Sequence, residues 1–378
     1  MNQPYACVRQ MTLLYRSLQD EQSRRLFWDR LRCDVYPSVA HVTALYADAF
    51  DLSPAERAAQ LSLGERAHQL HRLGKKLLLY GAGCCGSRIA EMFQLDAIPF
   101  AGFCDRRADE LRTVYGKPVY PPEYLFSHQK DCCVLITVSV GRQEILEVLR
   151  SHSFPQRQIL NYFDGDRSHQ AYFDFLEYFP RGTAFVDGGC YDAGTSLQFA
   201  RRCGGDYSKI FAFEPDGRNR ARCRAAAAAA GLRDFQLLPA GLGRKSGTAP
   251  FAADSLASSH VKGGDELSRA PAAAGSSETT IPISALDDVV GDATIGFIKL
   301  DIEGSELDAL HGAERTLQRD APLLAVCVYH RPGDLLAIMD FLSTAVPRYR
   351  FWLRHYTATP LETVLYAAVP DTMQARSV

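Results

Sequence analysis

The sequence predicts an α/β protein of two Rossmann-like domains, the C-terminal one a seven-stranded sheet, preceded by an N-terminal helical segment. Two patterns carry the prediction. From residue 77 onward, apolar runs of strand length alternate with helix-patterned stretches, the order that parallel sheets require because the chain must cross back between strands. Twice such a run empties into a glycine-rich turn and then a helix, at Gly81 and again at Gly188. The boundaries fall at 1–72 for the helical segment, 73–165 for the first α/β domain and 166–378 for the second.

Residues 8–72 carry a helical period, with Met11, Leu14, Tyr15 and Leu18 on one face. Ser53-Pro54-Ala55-Glu56 reads as a capped helix start with proline in the first turn. The segment is a cap or a dimerisation arm, through which the chain would form a homo-oligomer. Strands follow at 77–80, 100–103 and 133–138, with helices at 87–93 and 142–150. After a link at 161–168, strands are expected at 184–186, 209–213, 235–238, 296–300, 323–329, 351–354 and 363–369. The last two are joined by a short Thr/Pro connection, so the final strand should be antiparallel. The alanine run at 225–230 reads as helix. Residues 252–280, rich in Ser, Ala and Gly, read as a long loop, with Ser255, Ser258, Ser259 and His260 placed to close over a ligand.

Composition narrows the partners. Of 378 residues, 47% are hydrophobic and 23% charged, and the formal net charge is −2, so no electrostatic case for nucleic acid arises. The N-terminus lacks the layout of a signal peptide, and no apolar run reaches the roughly 20 residues of a membrane span. A cytoplasmic protein without membrane insertion is expected. The 11 cysteines include adjacent pairs but no zinc-type spacing. They read as reduced, packed thiols, and no metal is expected.

Gly81-x-Gly83-x-x-Gly86 follows a strand and opens a helix, and Asp105 lies where an acid could take a ribose hydroxyl. The Gly81 loop is therefore a candidate nucleotide site made of Gly81, Gly83, Gly86 and Asp105. If it binds a ligand, a nucleotide-sugar or glycan is favoured over NAD. The second turn, Asp187-Gly188-Gly189-Cys190-Tyr191-Asp192-Ala193-Gly194-Thr195-Ser196, is acidic, which argues against a pyrophosphate and for a cationic ligand. The next strand ends Phe213-Glu214-Pro215, placing Glu214 where a carboxylate can accept both hydroxyls of a ribose. A third element, Ile298-Lys299-Leu300-Asp301-Ile302-Glu303-Gly304-Ser305-Glu306, ends a buried strand in carboxylates, and ligands of open α/β sheets bind at such ends. Ser305 and Glu306 also read as a helix cap.

These stretches, with His311-Gly312-Ala313 and the tail pieces 326–335, 353–356 and 362–366, resemble the FkbM-type methyltransferase family over about residues 180–370. The Gly81 domain looks like one often found ahead of such enzymes. The resemblance implies a methyltransferase sheet and transfer from S-adenosylmethionine to a hydroxyl of a sugar, glycan or other small natural product. It assigns Asp187, Gly189 and Glu214 to the cofactor; Cys190, Tyr191, Thr195 and Gly241 complete that set. One position departs from the family, which has Gly where this chain has Ala193. Glu303, Arg354, His355 and Tyr356 are read as acceptor residues. His330, at the end of a strand beside Asp301, is read as the general base, with His355 as runner-up. Two rivals stand beside this reading. One is an NAD- or nucleotide-sugar-dependent enzyme using the Gly81 loop; the other is a non-catalytic ligand-binding scaffold.

Overall fold

A computed structural model describes residues 3–138, 141–160, 167–252, 260–261 and 278–370. The chain divides into two compact units. One holds Met1–Leu31, Gln170–His355 and Glu362–Val378; the other holds Arg32–His169 and Tyr356–Leu361. The helical segment expected over 1–72 is thus shared out at Leu31 rather than kept apart. Among the described residues, no helix is long and apolar enough to cross a membrane.

The smaller unit contains helices Val39–Phe50, Pro54–Leu61 and Leu63–Arg72 before its sheet. Ser53 and Glu56 form the expected reciprocal cap: Glu56 N donates to Ser53 Oγ and Ser53 N to the Glu56 carboxylate. The sheet comprises β1 (Lys76–Tyr80), β2 (Gly102–Cys104), β3 (Thr113–Val114), β4 (Lys117–Tyr120), β5 (Cys132–Ile136) and β6 (Ile159–Leu160), in the order β3-β4-β2-β1-β5-β6. Only β3–β4 is antiparallel. The sequence shows three of these six strands. The others are two to four residues long, too short for a period to register.

In the larger unit, β7 (Ala184–Gly188), β8 (Ile210–Phe213) and β9 (Phe235–Leu238) lead to β10 (Gly241–Leu242), β11 (Gly247–Ala252), β12 (His260–Val261) and β13 (Glu278–Ser284). Then come β14 (Ile295–Leu300), β15 (Leu323–Cys327), β16 (Arg350–His355) and β17 (Thr363–Ala368). The main sheet has the seven expected strands, ordered β16-β17-β15-β14-β7-β8-β9. β17 alone runs against its neighbours, slotted between β15 and β16 as the expected hairpin. β7, β14 and β15 are buried throughout, so they read as continuous apolar runs rather than alternating ones. The alanine run lies in helix Gly217–Ala229, capped by the Asp216 carboxylate.

β10 to β13 form a second, four-stranded sheet that the sequence did not predict. The loop expected at 252–280 is therefore bounded by paired strands, and His260 pairs with Ala252. Ser255, Ser258 and Ser259 lie outside the described residues. Residues 1–31 fasten to the edge strand β16: Leu18 bridges Phe351, Gln19 N donates to Phe351 O, and Leu353 N donates to Ser23 Oγ at 2.8 Å. An exposed sheet edge is thereby covered.

Candidate active site

The centre of the larger unit is a buried ion pair between neighbouring strands. Asp187 ends β7 and Lys299 lies in β14; they are 0% and 2% exposed, with Nζ 3.2 Å from Oδ1. Ser196 donates to the other Asp187 oxygen at 2.7 Å. Lys299 also donates to the carbonyls of Gly188 (3.0 Å) and Gly189 (2.7 Å), so one ammonium holds the glycine turn by three points. Burial opposes its charge, but Asp187 and Asp301 outweigh burial and hold Lys299 above the usual lysine range. Gly189 has φ of 75°, and a Cβ there would lie 2.0 Å from Asp301 O. Two strand ends approach so closely that only glycine fits. Asp187, expected on the cofactor, is fully buried, with its carboxylate held by Lys299 and Ser196.

Glu214 follows β8 and is 5% exposed. Its Oε2 accepts from Tyr191 N at 3.1 Å and its Oε1 from Asp216 N at 2.8 Å. Burial raises its pKa, against the pull of these N–H groups. With the Asn219 side chain these make three donors, which leaves room for a further one on a carboxylate that can accept about four. Of the remaining turn residues, Tyr191 is exposed and Thr195 half-buried in the first turn of helix Gly194–Arg202. Cys190 is buried with Sγ 3.3 Å from Cys223 Sγ, so its side chain points to the core while its backbone carries the turn. Gly241 pairs with Ile283 in the second sheet. Ala193, where the family has Gly, is buried with φ of 67°. Ala193 is thus held in the left-handed region, where glycine is the less strained residue.

Past β14 the chain places acids around one histidine. His330 Nδ1 is 2.8 Å from Glu306 Oε1; its Nε2 is 3.5 Å from Asp301 and 3.7 Å from Glu303. Tyr172 donates to Asp301 Oδ2 at 2.8 Å, and Tyr329 to Asp301 Oδ1 at 3.3 Å. Glu306 is fully buried and accepts from Ile302 N, the helix-capping contact expected of it; Ser305 makes no such bond. Glu303 holds φ of 57° and Gly304 of 94°, a strained turn that presents Glu303 outward.

This setting bears on the charge state of His330. Burial disfavours the imidazolium, but Glu306, Glu303 and Asp301 overcome it and push the pKa up to about 10. An imidazole held in its charged form is suited to donating a proton rather than to taking one. Asp301 is lowered: burial opposes ionisation, and Lys299 and His330 outweigh it. Asp334 is pushed up to about 7, by burial first and then by Glu306. Its folded pKa thus exceeds the unfolded value of about 3.9. Its contribution to stability is full below that value and is lost as pH rises through 7. Asp334→Asn should flatten the fall in Tm between about pH 4 and 7; equal slopes in variant and parent would refute the raised pKa of Asp334.

The tail residues do not reach this cluster as expected. Arg354 is taken by Asp20 (2.6 Å) and Ser23 (3.1 Å) and lies over Phe175, so it anchors the N-terminal helices rather than an acceptor. His355 is 4% exposed with Nδ1 2.9 Å from Thr363 Oγ1. Tyr356 groups with the smaller unit, where its carbonyl accepts from Arg167 N. Sequence reasoning missed Tyr172, which lies in no motif, and treated Lys299 only as part of one.

The Gly81 turn closes on itself. Asp105 Oδ2 accepts from Ala82 N and Oδ1 from Arg107 N, each at 2.9 Å, so the acid expected on a ribose holds its own loop. A Cβ on Gly86 would lie 1.9 Å from Gly81 O, while Gly83 faces open space.

A family model described as the methyltransferase FkbM domain matches residues 112–354, beginning well ahead of residue 180. No curated protein matches. The chain is similar in fold to the solved methyltransferase FkbM from Methylobacillus flagellatus KT, at 19% identity over 81% of this chain and 93% of that one, with a TM-score of 0.50. It is also similar to an O-methyltransferase from Bacillus cereus in complex with SAH, at 13% identity over 60% and 89% of the two chains and a TM-score of 0.33. The family match covers more than half of the chain and runs through both the turn at Gly188 and the strand that ends at Asp301. This chain belongs to the FkbM methyltransferase family.

Proposed function

We propose that the protein is an S-adenosylmethionine-dependent O-methyltransferase acting on a hydroxyl of a sugar, glycan or other small natural product. The observation that carries the reading is the placing of two separate carboxylate sets at adjacent strand ends: Glu214 with the turn at Gly188, and Asp301 with Glu303, Glu306 and His330. S-adenosylmethionine supplies the methyl group as a sulfonium. The residues suit it: Glu214 can accept from the ribose, and the acid-rich strand ends favour a ligand carrying positive charge.

The chain's own work is alignment and proton removal. Methyl transfer makes the acceptor oxygen strongly acidic, so a weak base suffices to collect its proton. Asp301 fits that role, held ionised by Lys299 and oriented by Tyr172 and Tyr329. His330 balances the charge of Asp301, Glu303 and Glu306 and fixes their geometry. Glu303, 33% exposed at the outer edge, is placed to bind the acceptor. The rival reading, a nucleotide-dependent enzyme at the Gly81 loop, has less support because the family match begins at residue 112 and leaves that loop out.

The test is label transfer from methyl-labelled S-adenosylmethionine to a panel of hydroxylated sugars and natural products, with NMR of the product. The expected label is an O-methyl ether, abolished when the accepting hydroxyl is replaced by hydrogen. Label on carbon or nitrogen would overturn the O-transfer reading.

A further inference from the structure

Two buried thiols meet beside the glycine turn. Cys190 lies in the turn that follows β7, and Cys223 lies in helix Gly217–Ala229; they are 2% and 0% exposed, with their sulfurs 3.3 Å apart. Arg222 and Arg224, on either side of Cys223, are exposed, so the helix directs this residue inward and its neighbours to solvent. The two cysteines stand 33 residues apart, a separation that no cysteine motif marks. A disulfide bond is about 2.05 Å long, so the sulfurs would have to close by about 1.2 Å, or about 0.6 Å for each side chain.

A second observation ties the pair to the ligand side of the turn. The Cys223 thiol donates to the Tyr191 carbonyl at 3.3 Å, and Tyr191 N donates to Glu214 at 3.1 Å. The two ends of one peptide residue therefore connect Cys223 to the carboxylate read as the acceptor of ribose hydrogen bonds. Once Cys223 gives up its proton and becomes half of a disulfide, the Tyr191 carbonyl loses that donor and Cys190 is drawn toward the helix. Binding groups work within about 0.5 Å of their productive geometry, so a shift of this size is felt at Glu214.

We propose that Cys190 and Cys223 form a reversible disulfide that weakens cofactor binding, with a peroxide as the oxidant. In the first step one thiol, as its thiolate, attacks a peroxide oxygen; the O–O bond breaks, leaving a sulfenic acid and a hydroxide that takes up the thiol proton as water. In the second the other sulfur attacks the sulfenic sulfur; the S–S bond forms, the S–O bond breaks and a second water leaves. The two thiols give up two electrons and two protons, and the peroxide receives both. The hydrogen bond with Cys223, and then burial, keep the Cys190 thiol protonated, so the reaction is slow and the pair stays reduced until an oxidant persists. The effect on the cofactor rests on the methyltransferase reading; the formation of the bond does not.

The test uses the full chain, reduced and then held with hydrogen peroxide. Peptides are mapped by mass spectrometry without reduction, and S-adenosylhomocysteine affinity is measured before and after. A peptide linked through Cys190 and Cys223 is expected, with an affinity about tenfold lower, the size of losing one hydrogen bond, and recovery in dithiothreitol. Cys223→Ser keeps a donor for the Tyr191 carbonyl but cannot form the bond, so its affinity should match that of the reduced parent and ignore peroxide. Circular dichroism reports whether this variant is folded; should it fail to fold, the peptide map and the dithiothreitol recovery of the parent carry the test. No linked peptide, a link from either residue to a different cysteine, a linked chain of unchanged affinity, or an equal loss in parent and folded Cys223→Ser would overturn the proposal. A reduced parent that binds no S-adenosylhomocysteine refutes the cofactor reading, and with it the effect on binding, while the peptide map still decides whether the bond forms.

Discussion

Lys299→Met should destabilise the protein by about 3–5 kcal/mol, the usual cost of removing one partner of a buried ion pair. Met matches the length of the lysine stem but cannot donate. It leaves Asp187 charged at 0% exposure and frees the carbonyls of Gly188 and Gly189. The glycine turn should loosen with the loss of stability, so cofactor affinity should fall as well. Asp187→Asn should cost less, because Asn can still accept from Ser196 and Lys299 keeps its two carbonyls. Denaturant unfolding of both variants checks the order. A Lys299→Met protein within 1 kcal/mol of the parent (an order-of-magnitude threshold set against that expected cost) would show that the pair is dispensable.

Asp301→Asn should lower the rate of methyl transfer by about 10²–10⁴-fold, the contribution typical of a positioned base. Asn keeps the shape and can still accept from Tyr172, so S-adenosylhomocysteine affinity should change little. His330→Gln acts differently. It removes the cation that, with Lys299, holds Asp301 ionised, so the pKa of Asp301 should rise and the acid limb of the pH–rate profile should move upward. In the parent no limb from His330 should appear near pH 6.5, since its titration lies near 10. A parent limb near 6.5 that vanishes in His330→Gln would restore His330 as the base and contradict the role given to Asp301.

The frame of the fold could be read from the chain because its signals are local. A strand such as 323–327 is a continuous apolar run, and the hairpin of β16 and β17 follows from two such runs joined by a short connection. The second sheet could not be read in this way. β10 and β12 are two residues long and pair across sequence separations that no period encodes. The site divides along the same line. Glu214, Asp301 and Glu303 stand at strand ends, which sequence can locate. What each contacts depends on the packing of remote segments. Arg354 sits at a strand end too, but Asp20, more than three hundred residues earlier, claims it. His330 was placed correctly beside Asp301, yet its charge is set by Glu306 and Glu303, which only the folded chain brings to both sides of the ring.

The most direct test of the account is equilibrium binding of S-adenosylhomocysteine to the parent chain and to Glu214→Ala, with NAD and a UDP-sugar as controls. Glu214 should supply hydrogen bonds from a charged group to the ribose, each worth about 1.5–3 kcal/mol, so the variant should bind at least tenfold more weakly. The account predicts stoichiometric binding of S-adenosylhomocysteine to the parent, that loss in the variant, and no tight binding of NAD. Equal affinity in parent and variant, or a one-to-one NAD complex of micromolar Kd in place of S-adenosylhomocysteine, would contradict it.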